Sequence, residues 1–248
     1  MRSFLTILFL LMIGVTAASA QKAKKPVVPA ASTPEARSNA HLISGDYAKA
    51  IPELEKMLQS VKSEDGSAKV ALHATLAGVK ILNGNMADAA THLAAAEAVQ
   101  FDIDFTVDMF AEEDIAEKRL GLALAKYTAM MAHRPKNPVY PSYRSDIWKK
   151  LGEPRKALAD ADAAIALNRR GGVFYIRKAE ILMTLKQYVD ALDALAMAFE
   201  WLLVDDPSIG TAYRIRAAAH CAIGDKKEAA IDEAKAISLG EQIPVRCR

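Results

Sequence analysis

A short turn between two helix-forming runs recurs along this chain at intervals near 34 residues, and that recurrence limits the fold more than any other feature. The stretch "LGEPRKALADADAAIALNRR", Leu151 to Arg170, shows the unit. Gly152 closes an apolar-periodic run containing Ile147, Trp148 and Leu151, and Pro154 stands where the first turn of a new helix tolerates it. The same order returns around Gly45, Gly84, Lys186 and Gly224. Gly152 to Lys186 is 34 residues, Lys186 to Gly224 is 38, Gly45 to Gly84 is 39, and Gly84 to Gly152 is 68, twice 34. The doubled interval predicts a hidden copy turning near Lys118, so that Phe105 to Arg134 forms a helix pair and not one continuous helix.

Two offsets inside the unit support that register. Five residues after each turn stands an alanine: Ala50, Ala89, Ala123, Ala157, Ala191 and Ala229. Seven residues before it stands a small residue: Ser38, Ala77, Ala111, Ser145, Ala179 and Ala217. If the two helices of a unit lie antiparallel around the turn, these positions meet where the axes are closest, and a larger side chain would hold them apart. Nine residues after the turn come Leu54, Leu93, Tyr127, Ala161, Leu195 and Glu233. The last is a polar departure that suits a terminal unit with no neighbour on its outer face.

Composition agrees with an all-α chain. Apolar residues make up 52% but aromatics only 6%, so the core is mainly alanine and leucine, which favours helices packed through small side chains over a sheet. With 32 Lys plus Arg against 30 Asp plus Glu, the net charge of +2 argues against nucleic acid as the main partner.

The 34-residue helix-turn-helix unit with small residues at fixed offsets resembles the tetratricopeptide repeat family. Tyr175 and Tyr213 match the place where that motif often carries its first large aromatic, and Pro135 matches a closing proline. Lys118 and Lys186 in place of the turn glycine, and Pro34 and Pro141 in place of the aromatic, depart from the pattern. The resemblance covers residues 34–239 as about six imperfect copies. It implies a right-handed α-solenoid whose first helices line a concave surface that holds a peptide or protein segment. Helical phase places Ser142, Asp146 and Lys149 there from one pair, Ile176, Glu180 and Met183 from the next, and Arg214 with Cys221 from the last. Ile176 and Met183 suit packing between repeats equally well, and Arg214 is either a groove ligand or an exposed charge. A second candidate is "MMAHRPKNPVYPSYRSDIW", Met130 to Trp148, whose three prolines and two tyrosines read either as a displayed recognition loop or as a plain connection.

The ends carry a different signal. Arg2, an apolar run from Phe4 to Val15 and the small-x-small triplet Ala18-Ser19-Ala20 read as a signal peptide, residues 1–20, cleaved after Ala20. The run is short for a membrane span, and Gln21 in place of a cysteine argues against a lipid anchor. Residues 21–33 read as a flexible leader and 240–248 as a tail. The expected location is the periplasm or another exported compartment, with no integral membrane segment after processing. Such a compartment permits a disulfide between Cys221 and Cys247, which would pin the tail over the apolar surface of Ala222, Ile223, Ile231 and Ile237; the alternative is a buried Cys221 with Cys247 free or linked between chains.

Catalytic signatures are weak. His41, His73, His92, His133 and His220 show no metal-ligand spacing, and no Gly-rich phosphate loop, serine elbow or Cys-x-x-Cys occurs. His73 and His92 fall within one repeat but lack a third ligand. The expectation is a non-enzymatic scaffold of the cell envelope that binds a protein or peptide without cofactor or metal. Its alternative is a structural or regulatory subunit bound through the convex face or the solenoid ends.

Overall fold

All six turn residues adopt the left-handed backbone region. Gly45, Gly84, Gly152 and Gly224 have φ of 77°, 83°, 75° and 87°, and Lys118 and Lys186 both have φ of 61°. Each follows a helix end at which the next amide reaches back five residues, as in Asp46 N–H to His41 O (2.8 Å), Arg119 N–H to Asp114 O (2.6 Å) and Gln187 N–H to Leu182 O (2.9 Å). This closure satisfies the last carbonyls of one helix while reversing the chain into the next. The two lysines hold a conformation that glycine adopts at lower cost, which shows how firmly the repeat geometry dictates the backbone there.

The computed structural model describes residues 33–100, 102–202, 206–242 and 247. The expected signal peptide and the leader, apart from Thr33, lie outside the described residues. Among the described residues there are twelve helices: α1 Pro34–Ser44, α2 Tyr47–Ser60, α3 Gly66–Leu82, α4 Met86–Val99, α5 Asp104–Ala116, α6 Leu120–His133, α7 Val139–Lys150, α8 Pro154–Leu167, α9 Gly172–Thr184, α10 Tyr188–Trp201, α11 Ile209–Ala222 and α12 Lys226–Ser238. They form six pairs, and the break at Lys118 separates α5 from α6. None of the described helices is long and apolar enough to cross a membrane.

Packing follows the small-residue register. All twelve residues at the two predicted offsets are buried, from Ser38 and Ala50 to Ala217 and Ala229. A further regularity joins the two helices of a pair. Eight residues before the turn an arginine, and eight after it an acid, form an ion pair in three repeats: Arg37 with Glu53 (2.7 Å), Arg144 with Asp160 (2.7 Å from both Nε and Nη2), and Arg216 with Asp232 (2.7 Å from both). The two forked pairs match the planar guanidinium to a carboxylate and fix the rotation of one helix on the other.

The first three pairs depart from a simple array. From α7 onward each pair packs on the next, whereas α6 packs against α3 and α1, and α5 lies on α6 and α3 and not chiefly on α4. Gly121 through Met130 of α6 are all buried. Two glycines permit the approach. A Cβ on Gly78 of α3 would overlap the carbonyl of Ala125, and a Cβ on Gly121 would lie 2.7 Å from the Leu42 Cβ of α1. The Gly121 amide donates to Asn39 Oδ1 at 2.8 Å. The concave surface expected along the whole solenoid is therefore filled in its N-terminal half by the chain's own sixth helix.

Two further expectations change. Most of the Pro-rich stretch Met130 to Trp148 is helical, since α7 begins at Val139; Tyr140 and Pro141 are buried. Pro141 sits in the first helical turn, where its missing N–H would have had no partner in any case. The C-terminal tail also leaves open the apolar surface it was expected to cover: Ile223, Ile231 and Ile237 are 46%, 53% and 44% exposed.

Candidate functional site

Among the described residues, the first helices α7, α9 and α11 of the regular half carry an open surface. A cleft of about 440 Å³ lies there. Val139, Val173, Phe174 and Ile176 supply an apolar wall, Ser208 and Thr211 close one end, and Tyr143, Asp146, Arg177 and Glu180 make the polar side. Ser142 lines the same cleft with a buried hydroxyl that has no hydrogen-bond partner among the described residues.

The charged residues are paired in a ladder from repeat to repeat. Asp146 on α7 engages Arg177 on α9 and lies 3.8 Å from Lys149. Lys149 donates to Glu180 of α9 at 2.5 Å, and Arg214 of α11 stands 3.9 Å from Glu180. The guanidinium of Arg177 also lies over the Tyr143 ring at 5.4 Å, and burial pushes its pKa below the ordinary value. These pairs set the spacing of three successive first helices and leave no single-sign patch.

Of the sequence candidates, Ser142, Asp146, Ile176 and Glu180 line the cleft. Lys149 borders it through its pairing with Glu180 and Asp146, and Arg214 through Glu180. Met183 packs against the core of α9 and α10, and Ile176 contributes to that core as well as to the cleft wall. Tyr143 and Arg177, one position along from the named residues, escaped the sequence reading. Both fall nine residues before their turns, and the repeat register was the available signal.

The tail contributes at the far end. Gly240, with φ of 88°, turns the chain back after α12, and Glu241 accepts from Thr211 Oγ1 at 2.7 Å and Arg214 Nε at 3.0 Å. Cys221 is joined to Cys247 with Cα atoms 5.5 Å apart, and the Cys247 amide donates to Glu233 Oε1 at 2.8 Å. Glu233, the polar departure of the last repeat, is thus buried beneath a returning tail.

Beside the cleft, Tyr143 stacks near Tyr127 (5.4 Å between centroids), which stacks near Tyr140 (6.3 Å). Asp108 of α5 lies close to this group. Its burial, reinforced by Asp104 and Glu112, raises its pKa from 3.8 to about 6. The fold therefore favours the protonated acid, and its contribution to stability falls as pH rises from the unfolded value towards about 6. A shift of that size is worth about 3 kcal/mol in full, which solvent at the open edge reduces to about 1–2 kcal/mol. Asp108→Asn is expected to stabilise the chain by that amount at pH 8 and to change it little at pH 4. Urea unfolding at the two pH values checks this, and equal effects at both would refute the assignment.

No family model matches the sequence, and no curated protein matches it. Solved structures similar to this chain include MamA of AMB-1, with 16% identity and a TM-score of 0.44 over 84% of this chain and 97% of that one. The TPR2AB-domain:pHSP90 complex of yeast Sti1 is also similar, with 16% identity and a TM-score of 0.36 over 84% of each chain. A tetratricopeptide repeat protein from Parabacteroides merdae shares 16% identity with a TM-score of 0.32, over 83% of this chain and 91% of that one. The chain's own features decide its architecture: six helix pairs on a period near 34 residues, a left-handed turn residue in each, and a buried small residue at both offsets make it an all-α solenoid.

Proposed function

We propose that this chain is a non-enzymatic scaffold that holds a protein or peptide segment in the cleft of α7, α9 and α11. The apolar wall beside Tyr143, Arg177 and Glu180 carries this reading, because an extended peptide supplies both backbone hydrogen-bonding groups and an apolar side chain. The ladder of ion pairs holds the three helices at a fixed spacing, which lowers the ordering cost of binding. The Met1–Ala20 segment supports an exported location, and the Cys221–Cys247 bond is in keeping with one.

A second reading, a subunit of an envelope assembly bound through the solenoid end, draws on the exposed Ile223, Ile231 and Ile237. One experiment separates the two. A photo-crosslinking residue at Val173 captures partners from native envelope extracts, and the capture is repeated with Arg177→Ala in the cleft and with Ile231→Ser at the end. The cleft reading expects the captured species to disappear with R177A and persist with I231S. The opposite pattern would transfer the function to the solenoid end.

A further inference from the structure

The second repeat brings two imidazoles together. His73 on α3 and His92 on α4 meet Nδ1 to Nδ1 at 3.1 Å, with ring centroids 5.3 Å apart. Both are half-buried on the side of the pair that faces α2, where Lys80 lies 3.2 Å from Glu55 and 3.5 Å from Asp88. In the metal-free chain one Nδ1–H donates to the other Nδ1. We propose that His73 and His92 form a two-nitrogen site for a divalent transition-metal ion, with copper(II) held most tightly.

The spacing carries the argument. With metal–nitrogen bonds of about 2.0–2.1 Å, two nitrogens 3.1 Å apart subtend about 98° at a shared ion. That lies between the tetragonal and tetrahedral angles, so the backbone already sets the separation two adjacent ligands require. The rings now point at each other, and to point at a common ion each must swing by roughly 40° about its Nδ1, which closes the centroids from 5.3 Å to about 4.9 Å. Burial, with Lys69 beside His73 and Lys80 beside His92, pushes both imidazoles below their ordinary pKa, so they remain neutral ligands at neutral pH. The charge of Lys80 is offset by Glu55 and Asp88. No third histidine, cysteine or acid completes the set among the described residues, so water fills the remaining positions. Asp88, one helical turn before His92 and half-exposed, is the acid on the same face of α4. Copper(II) heads the affinity order for such nitrogen and oxygen donors.

Titration of the tag-free chain with copper(II), nickel(II) or zinc(II) alone at pH 7.5, followed by calorimetry and, for copper, electron paramagnetic resonance, tests the site. The expected result is one copper(II) equivalent with two-nitrogen coupling, bound tighter than nickel or zinc and weakened at least tenfold by His73→Ala or His92→Ala. His220→Ala should leave it unchanged. H73Q/H92Q replaces the alanine variants if their melting shows a damaged fold. Copper bound as tightly by the double variant as by the wild type, or a spectrum without two-nitrogen coupling, would overturn the site.

Discussion

Replacing Gly78 by alanine should destabilise the chain by about 3 kcal/mol, the upper end of what overpacking costs. The new Cβ would stand 2.5 Å from the carbonyl carbon and 2.9 Å from the Cα of Ala125, with the oxygen nearer still. All three are backbone atoms of α6, so no side-chain rotation relieves the overlap and the helix itself must move. Alanine's higher helix propensity returns only about 1 kcal/mol. Gly66→Ala is the matched control, because its Cβ meets only Val99 Cγ1 at 3.4 Å, an ordinary contact. Chemical denaturation of the two variants checks the contrast, and a G78A midpoint equal to that of the wild type would deny the close crossing of α3 and α6.

The second large effect lies in the charges that accompany α6 inward. Lys126 is 5% exposed, and its ammonium donates to Asp114 of α5 at 2.5 Å; Asp114, 3% exposed, also accepts from Arg119 Nε at 2.7 Å. Asp114→Ala leaves a buried ammonium without its counter-charge, and breaking such a pair from one side costs about 3–5 kcal/mol. The double change D114A/K126M should recover most of that loss, because the pair itself offsets little more than its own desolvation. A D114A variant as stable as the wild type, or a double variant no better than D114A alone, would show that the pair is not desolvated as the structure places it.

What the sequence revealed was local. The turn at Lys118 was legible without a glycine because its neighbours at fixed offsets, Ala111 and Ala123, obey the same packing rule as the other five copies. The phase along the first helices located Ser142, Asp146, Ile176 and Glu180 at the cleft for the same reason. The course of α6 was not legible, since its partner α1 lies far away in sequence and a repeat pattern reports only neighbouring contacts. The signs were present as glycines inside helical runs, Gly78 and Gly121, where a missing side chain marks a close approach. Arg214 shows a different limit. Its partner Glu241 belongs to a non-repeating tail, so no periodic argument could have paired them.

The inward course of α6 also divides the chain by how it reaches its native state. In a plain array each unit touches only its neighbours, stability accumulates unit by unit, and folding can spread from any point. The last three pairs keep that property. The first three lose it, because Asn39 and Gly121 are joined across 82 residues and the chain between them must be ordered before their contact contributes. One half of this protein therefore assembles by growth and the other by closure: removing a pair from the C-terminal half only shortens it, whereas removing one from the N-terminal half unfolds that half.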